Sequence, residues 1–125
     1  MAEEEMTDTE RAEQPGQLSA VCTETDGIRV VTLAGEIDHH TGDTLRHALD
    51  ASGVLRPRIV VDLHQVTFMD SSGINIFIAA HRTLSEAGGW LRLAAVRESV
   101  MRTLSIVGVD AVIDCRETLR QALTV

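Results

Sequence analysis

A chain of 125 residues and 13.6 kDa has room for one domain, and with 44% apolar and 24% charged residues it can build a globular core. Eleven basic residues against 19 acidic ones give a formal net charge of −8 and a pI near 5.0, which leaves no basic patch for neutralising nucleic-acid phosphates. Every one of those basic residues is arginine, so Schiff-base and phosphate-loop lysine chemistry are excluded.

Residues 1–17 carry Glu3, Glu4, Glu5, Asp8, Glu10 and Glu13 against Arg11 alone, a net −5, and include the breaker Pro15-Gly16. This composition predicts a disordered acidic N-terminal tail, with a folded domain over residues 18–125. Leu18 to Cys22 and Ile28 to Ala34 read as short strands joined through Thr25-Asp26-Gly27, an antiparallel hairpin at one edge. After Gly35-Glu36-Ile37-Asp38 comes a helix with Leu45, Ala48 and Leu49 on one face, stopped by Ser52-Gly53. Arg58 to Leu63 is an apolar run of the kind buried on both faces of a parallel sheet.

A helix follows from about Ser72 to Ala87, with Ile74, Phe77, Ile78, His81 and Leu84 at spacings of three and four, ended by Gly88-Gly89. Trp90 to Ala94 reads as a strand. Val100, Leu104 and Val107 mark a third helix closed by Gly108. Ala111 to Ile113 reads as a last strand and Glu117 to Leu123 as a last helix. The order β-β-α-β-α-β-α-β-α predicts a single α/β domain, with a mixed, mostly parallel β-sheet flanked by about four α-helices.

Phe68-Met69-Asp70-Ser71-Ser72-Gly73 falls where a strand gives way to a helix, the functional end of an open α/β sheet. Two serines and an Asp there cap a helix on the simplest reading. The sharper reading is a phosphoacceptor hydroxyl, since a phosphate would bring about −1.5 to −2 charges to the helix start. A nucleophile elbow needs G-x-S-x-G, and Met69 and Asp70 precede the serines instead of glycine, so a serine hydrolase is the weaker alternative. No phosphate-binding glycine motif occurs.

His40, Asp43 and His47 would share one face of the first helix. They match no ligand motif and read as a solvated face, with Asp38 as the helix cap and no metal. His81, on the apolar stripe, reads as a partly buried and satisfied histidine. Phe68, Phe77 and Trp90, with no Tyr, offer no stacking platform. Cys22 and Cys115 lack metal-ligand spacing and read as reduced thiols. With no signal-peptide run and no membrane-length apolar window, a cytoplasmic protein without membrane contact is expected. These residues suggest no enzyme and call for no cofactor.

Gly35-Glu36-Ile37-Asp38-His39-His40-Thr41, followed by Phe68-Met69-Asp70-Ser71-Ser72-Gly73, resembles the STAS-domain anti-sigma factor antagonists of bacteria, closest to the sporulation and stress-response type. The resemblance covers about residues 18–125 and includes the Leu104 to Val112 stretch with Gly108 inside it. It implies a STAS domain whose unphosphorylated form binds an anti-sigma factor that is also an ATP-dependent serine kinase, releasing a sigma factor. It further implies phosphorylation at Ser71, which switches binding off, and a serine phosphatase that reverses it. Asp38, Asp70, Ser72, Gly73 and Asn75 then belong to the partner-binding surface. Ile74 and Asn75 depart from the Leu-Gly that many relatives carry after the motif. The same fold would also serve a STAS module with another binding role, a signalling scaffold or a transport accessory.

Overall fold

The computed structural model describes residues 17–124. The expected tail over 1–17 lies outside these residues except for Gln17, whose carbonyl accepts a 3.0 Å bond from the Glu36 amide.

Strands β1 (Leu18–Thr25) and β2 (Ile28–Ile37) form the expected antiparallel hairpin. Its two-residue turn places Asp26 at φ 52 and Gly27 at φ 80, the left-handed pair that matches strand twist in a tight hairpin. Helix α1 (Gly42–Ala48) follows, then β3 (Arg58–Met69), α2 (Ser71–Glu86), β4 (Trp90–Ala94) and α3 (Glu98–Ile106). The described chain closes with a short 3-10 turn (Val109–Ala111), β5 (Asp114–Arg116) and α4 (Leu119–Leu123). The sheet order is β1-β2-β3-β4-β5, antiparallel between β1 and β2 and parallel at every later pairing.

Ile59 to Leu63 of β3 are buried without a break because β3 sits mid-sheet with cover on both faces. On one face Val31, Leu33, Val61 and Leu63 pack with Leu45 of α1, Phe77 of α2 and Leu104 of α3. On the other, Ile28, Val60 and Ala94 pack with Ala122 of α4. Arg92 pins that last helix, its Nη1 donating to the Ala122 and Thr124 carbonyls at 2.9 Å.

Two expectations need correction. Ala111 to Ile113 is not a strand: Val109–Ala111 forms the 3-10 turn, and the edge strand lies at Asp114–Arg116, where Asp114 pairs with Arg92 in register and by a 3.6 Å ion pair. His81 is half-buried as expected, yet its buried Nδ1 has no hydrogen-bond partner among the described residues.

Candidate functional site

The parallel pairing of β2 and β3 ends with Glu36 opposite Phe68 and Ile37 opposite Met69, after two register shifts near Ala34 and Glu36. Such irregularities re-aim the residues beyond them. Two chain segments leave the sheet side by side here: Asp38-His39-His40-Thr41 after β2, and Asp70-Ser71 after β3. The Asp70 amide donates to the Ile37 carbonyl at 3.1 Å and ties the two together.

The first segment is a tight turn built on its own polar groups. Asp38 Oδ1 accepts from the His40 amide at 2.8 Å and the Thr41 amide at 3.1 Å. Thr41, only 6% exposed, accepts from the Asp38 amide at 2.9 Å through Oγ1 and donates to the Glu36 carbonyl at 3.0 Å. Asp38 is therefore an Asx turn rather than the cap of α1, which starts at Gly42 behind Thr41 with no side-chain cap bond. Thr41 faces back toward the strand, so its hydroxyl is not free to cap. His39 and His40 are exposed with ring centroids 3.9 Å apart. His40, Asp43 and His47 all face solvent, and Asp43 pairs with Arg46 at 2.8 Å.

The second segment opens α2. Asp70, in extended backbone, accepts from the Ser72 amide through Oδ1 at 2.8 Å, and its carbonyl receives the Gly73 and Ile74 amides at 3.1 and 3.3 Å. Of the Asp and two serines that the sequence offers for capping, Asp70 is thus the one that caps the helix. Ser71 stands at the first helical position, exposed, with no hydrogen bond on its hydroxyl among the described residues. Asn75, four residues on and also exposed, lies on the same helix face. Ser72 is half-buried.

Gly73 is buried, beneath the exposed Ser71 and Asn75. A Cβ there would stand 2.5 Å from Ile37 Cγ2 and 2.9 Å from Met69 Cγ, so glycine is what lets α2 close onto the ends of β2 and β3. Sequence reasoning passed over two neighbours. Phe68 is 47% exposed just before the capping Asp70, and Thr41 holds the adjoining turn. An aromatic at a strand end facing solvent was a readable signal; the buried hydroxyl was not.

Chemically, the site offers a free primary hydroxyl at a helix start. No hydrogen bond joins Ser71 or Ser72 to a histidine among the described residues, and none of their His, Cys, Asp and Glu residues gathers in threes to hold a metal ion. Among the described residues, no helix is long and apolar enough to cross a membrane.

A family model described as STAS domain matches residues 19–122. The chain is a STAS domain. Its curated relatives include the anti-sigma F factor antagonist of Paenibacillus polymyxa, 32% identical over 100 residues, which span 78% of this chain and 86% of that protein. The anti-sigma-B factor antagonist of Bacillus subtilis is 31% identical over 84 residues, 67% of this chain and 77% of that one. Among solved structures, an anti-sigma factor antagonist from Mycobacterium paratuberculosis superposes with a TM-score of 0.79 at 30% identity, covering 88% of this chain and 94% of its own. The mixed sheet with its flanking helices is the fold that this STAS domain shares with that structure.

Proposed function

We propose that this STAS domain is an anti-sigma factor antagonist. Its unphosphorylated form binds an anti-sigma factor that is also a serine kinase, a sigma factor is released, and phosphorylation of Ser71 switches binding off until a serine phosphatase restores it. The observation that carries the reading is the exposed, unbonded Ser71 hydroxyl, set beside the Asp38 turn by the bond from Asp70 to Ile37. The names of the curated relatives supply the class of partner.

The docking surface is the strand-end face: the Asp38 turn, Asp70 with Ser71 and Ser72, and Asn75 one turn further along α2. Gly73 serves it from beneath by allowing the close approach. The protein acts here as a binding module and a kinase substrate, in the cytoplasm, without a cofactor.

The switch is electrostatic. A phosphate on Ser71 would bring about −1.5 to −2 charges to the N-terminus of α2. Helix amides are the usual home for such charge, but those of Ser72, Gly73 and Ile74 are already taken by Asp70. Residues 64–80 contain no arginine or lysine, and Asp70 itself stands next door. The phosphate therefore stays hydrated and poorly neutralised, and burying it at an interface carries a large desolvation cost. A loss of about 3 kcal/mol already weakens binding by more than a hundredfold. No refolding is needed.

The test is phosphate transfer from ATP by the anti-sigma kinases of the source organism, read by intact mass, with Ser71→Ala as control, alongside binding of Ser71→Asp to the same kinase. One phosphate on the wild type, none on Ser71→Ala and binding weakened at least tenfold in Ser71→Asp are expected. Transfer to Ser71→Ala, or wild-type affinity in Ser71→Asp, overturns the reading.

A further inference from the structure

The two ends of the sheet differ in charge. The strand ends that carry Ser71 also carry Asp38, Asp43 and Asp70, with Arg46 paired to Asp43. At the opposite end a cavity of about 840 Å³ opens beside the start of β3. Arg29, Arg56 and Arg58 line it with Glu24, and Arg29 also lies in the field of the Asp50 carboxylate, a local net +1 on a chain whose total is −8. Two other cavities are lined by arginines and carboxylates in equal number: Arg46 and Asp50 in one, Arg102 and Arg116 with Glu98 and Glu117 in the other.

The arginines of the first cavity retain donors for an anion. Arg56 makes no side-chain bond among the described residues; its backbone, at φ 51, is held by a 3.2 Å bond to the Ala87 carbonyl. Arg58 has one long bond, 3.4 Å to the Asp26 carbonyl. Arg29 is spent on the Ala48 and Asp50 carbonyls, and its charge is offset by the Asp50 carboxylate. Leu55, 91% exposed, and Trp90 add apolar surface to the same mouth.

We propose that this cavity docks the acidic N-terminal segment of the same chain, with carboxylates of Glu3, Glu4 and Glu5 on Arg56 and Arg58. The occupant follows from charge and reach. The segment carries a net −5, and the chain enters the fold at Gln17, beside Glu36, at the acidic end. Opposite charge draws it to the cavity. β1 runs from Gln17 toward the cavity over eight residues, about 26 Å at 3.3 Å per residue. The twelve steps from Glu5 to Gln17 span up to about 40 Å when extended, enough to cover that path. Tethering also gives these carboxylates an effective concentration in the millimolar range, which a free anion must exceed. Docking holds the carboxylates of Glu3 to Glu5 away from the Ser71 end. The contact itself does not depend on what Ser71 does.

Full-length protein tests this by NMR at low and high salt. The probes are the Arg56 and Arg58 side-chain N–H signals and the indole N–H of Trp90, the single tryptophan of the chain. One variant replaces the tail acids by amides (E3Q, E4Q, E5Q, D8N, E10Q, E13Q); another carries R56Q with R58Q. The tail variant should move all three probes at low salt. That difference should vanish in 1 M salt, where the screening length is about 3 Å. In the cavity variant the Glu3 to Glu5 amide signals should move to where the wild type puts them in high salt. Unmoved arginine and indole signals in the tail variant overturn the proposal. So do shifts that grow with protein concentration, which assign the contact to the tail of a second copy.

Discussion

The amide of Asp70 and the carbonyl of Ile37 meet at 3.1 Å, and this one bond makes a single surface of two loops that are about thirty residues apart in sequence. The residue that caps α2 is thereby also the residue that fixes where the Asp38 turn stands. Any group added at Ser71 is presented next to that turn.

Gly73→Ala drives a methyl to 2.5 Å from Ile37 Cγ2 and 2.9 Å from Met69 Cγ. Both neighbours are buried, so neither yields without moving a strand end. Overpacking of this kind costs about 1–3 kcal/mol. Urea denaturation should show a lower midpoint with an unchanged slope, and amide shifts should spread to Asp38 and Asp70. A midpoint equal to wild type would mean that the strand ends give way freely.

Asp70→Ala removes the side-chain acceptor of the Ser72 amide and should destabilise the fold by about 1 kcal/mol, the usual worth of a helix cap. Asp70→Asn keeps an oxygen in that place and should retain most of the stability. If asparagine proves as costly as alanine, the carboxylate charge rather than the cap holds the helix start.

Thr41→Val keeps shape and removes the hydroxyl that serves the Asp38 amide and the Glu36 carbonyl. Burial leaves these groups without water, so the loss should be about 1–3 kcal/mol. Hydrogen exchange at the Asp38 amide should accelerate, while the β1–β2 hairpin amides keep their protection. Unchanged exchange at Asp38 would show that the turn stands without Thr41.

Burial pushes the Cys115 thiol up to about 11, with Asp110 and Asp114 adding in the same direction. Two consequences can be measured. Iodoacetamide at pH 8 should label the exposed Cys22 first and leave Cys115 largely untouched in the folded protein. The folded state also holds this proton more tightly than the unfolded chain, whose thiol titrates near 9.0. The contribution to stability is complete below pH 9 and is lost as pH rises through about 11. Cys115→Ala should flatten the fall in urea midpoint between those values.

Much of this was readable from residues because burial leaves a pattern. Arg58 to Leu63 betrayed the central strand by its apolar run, and Asp26-Gly27 betrayed the hairpin turn. Beyond Leu63, β3 continues to Met69 with His64, Gln65, Thr67 and Phe68 exposed, and the signal fades where cover is lost. The edge strand Asp114–Arg116 was missed because its place is set by pairing with β4 and by the Arg92 contact, and neither leaves a local signature. At the site, a helix cap among Asp70, Ser71 and Ser72 was legible, but which of the three supplies it shows only in the bond from the Ser72 amide to Asp70. The Asp38 turn was misread as a cap because side-chain oxygens suit both roles, and only the direction of Thr41 decides between them.

The strand order of the sheet is also the order in which the strands are synthesised. Each of β3, β4 and β5 can dock on a neighbour already made, beginning from a hairpin closed by two residues. No strand has to wait for a distant partner, and none inserts between two that already pair. Such an assembly grows from one edge as the chain leaves the ribosome and keeps the loop-closure cost of each step small. The strand ends that carry Asp38 and Ser71 are in place once β3 and α2 have docked, before the last third of the domain is folded.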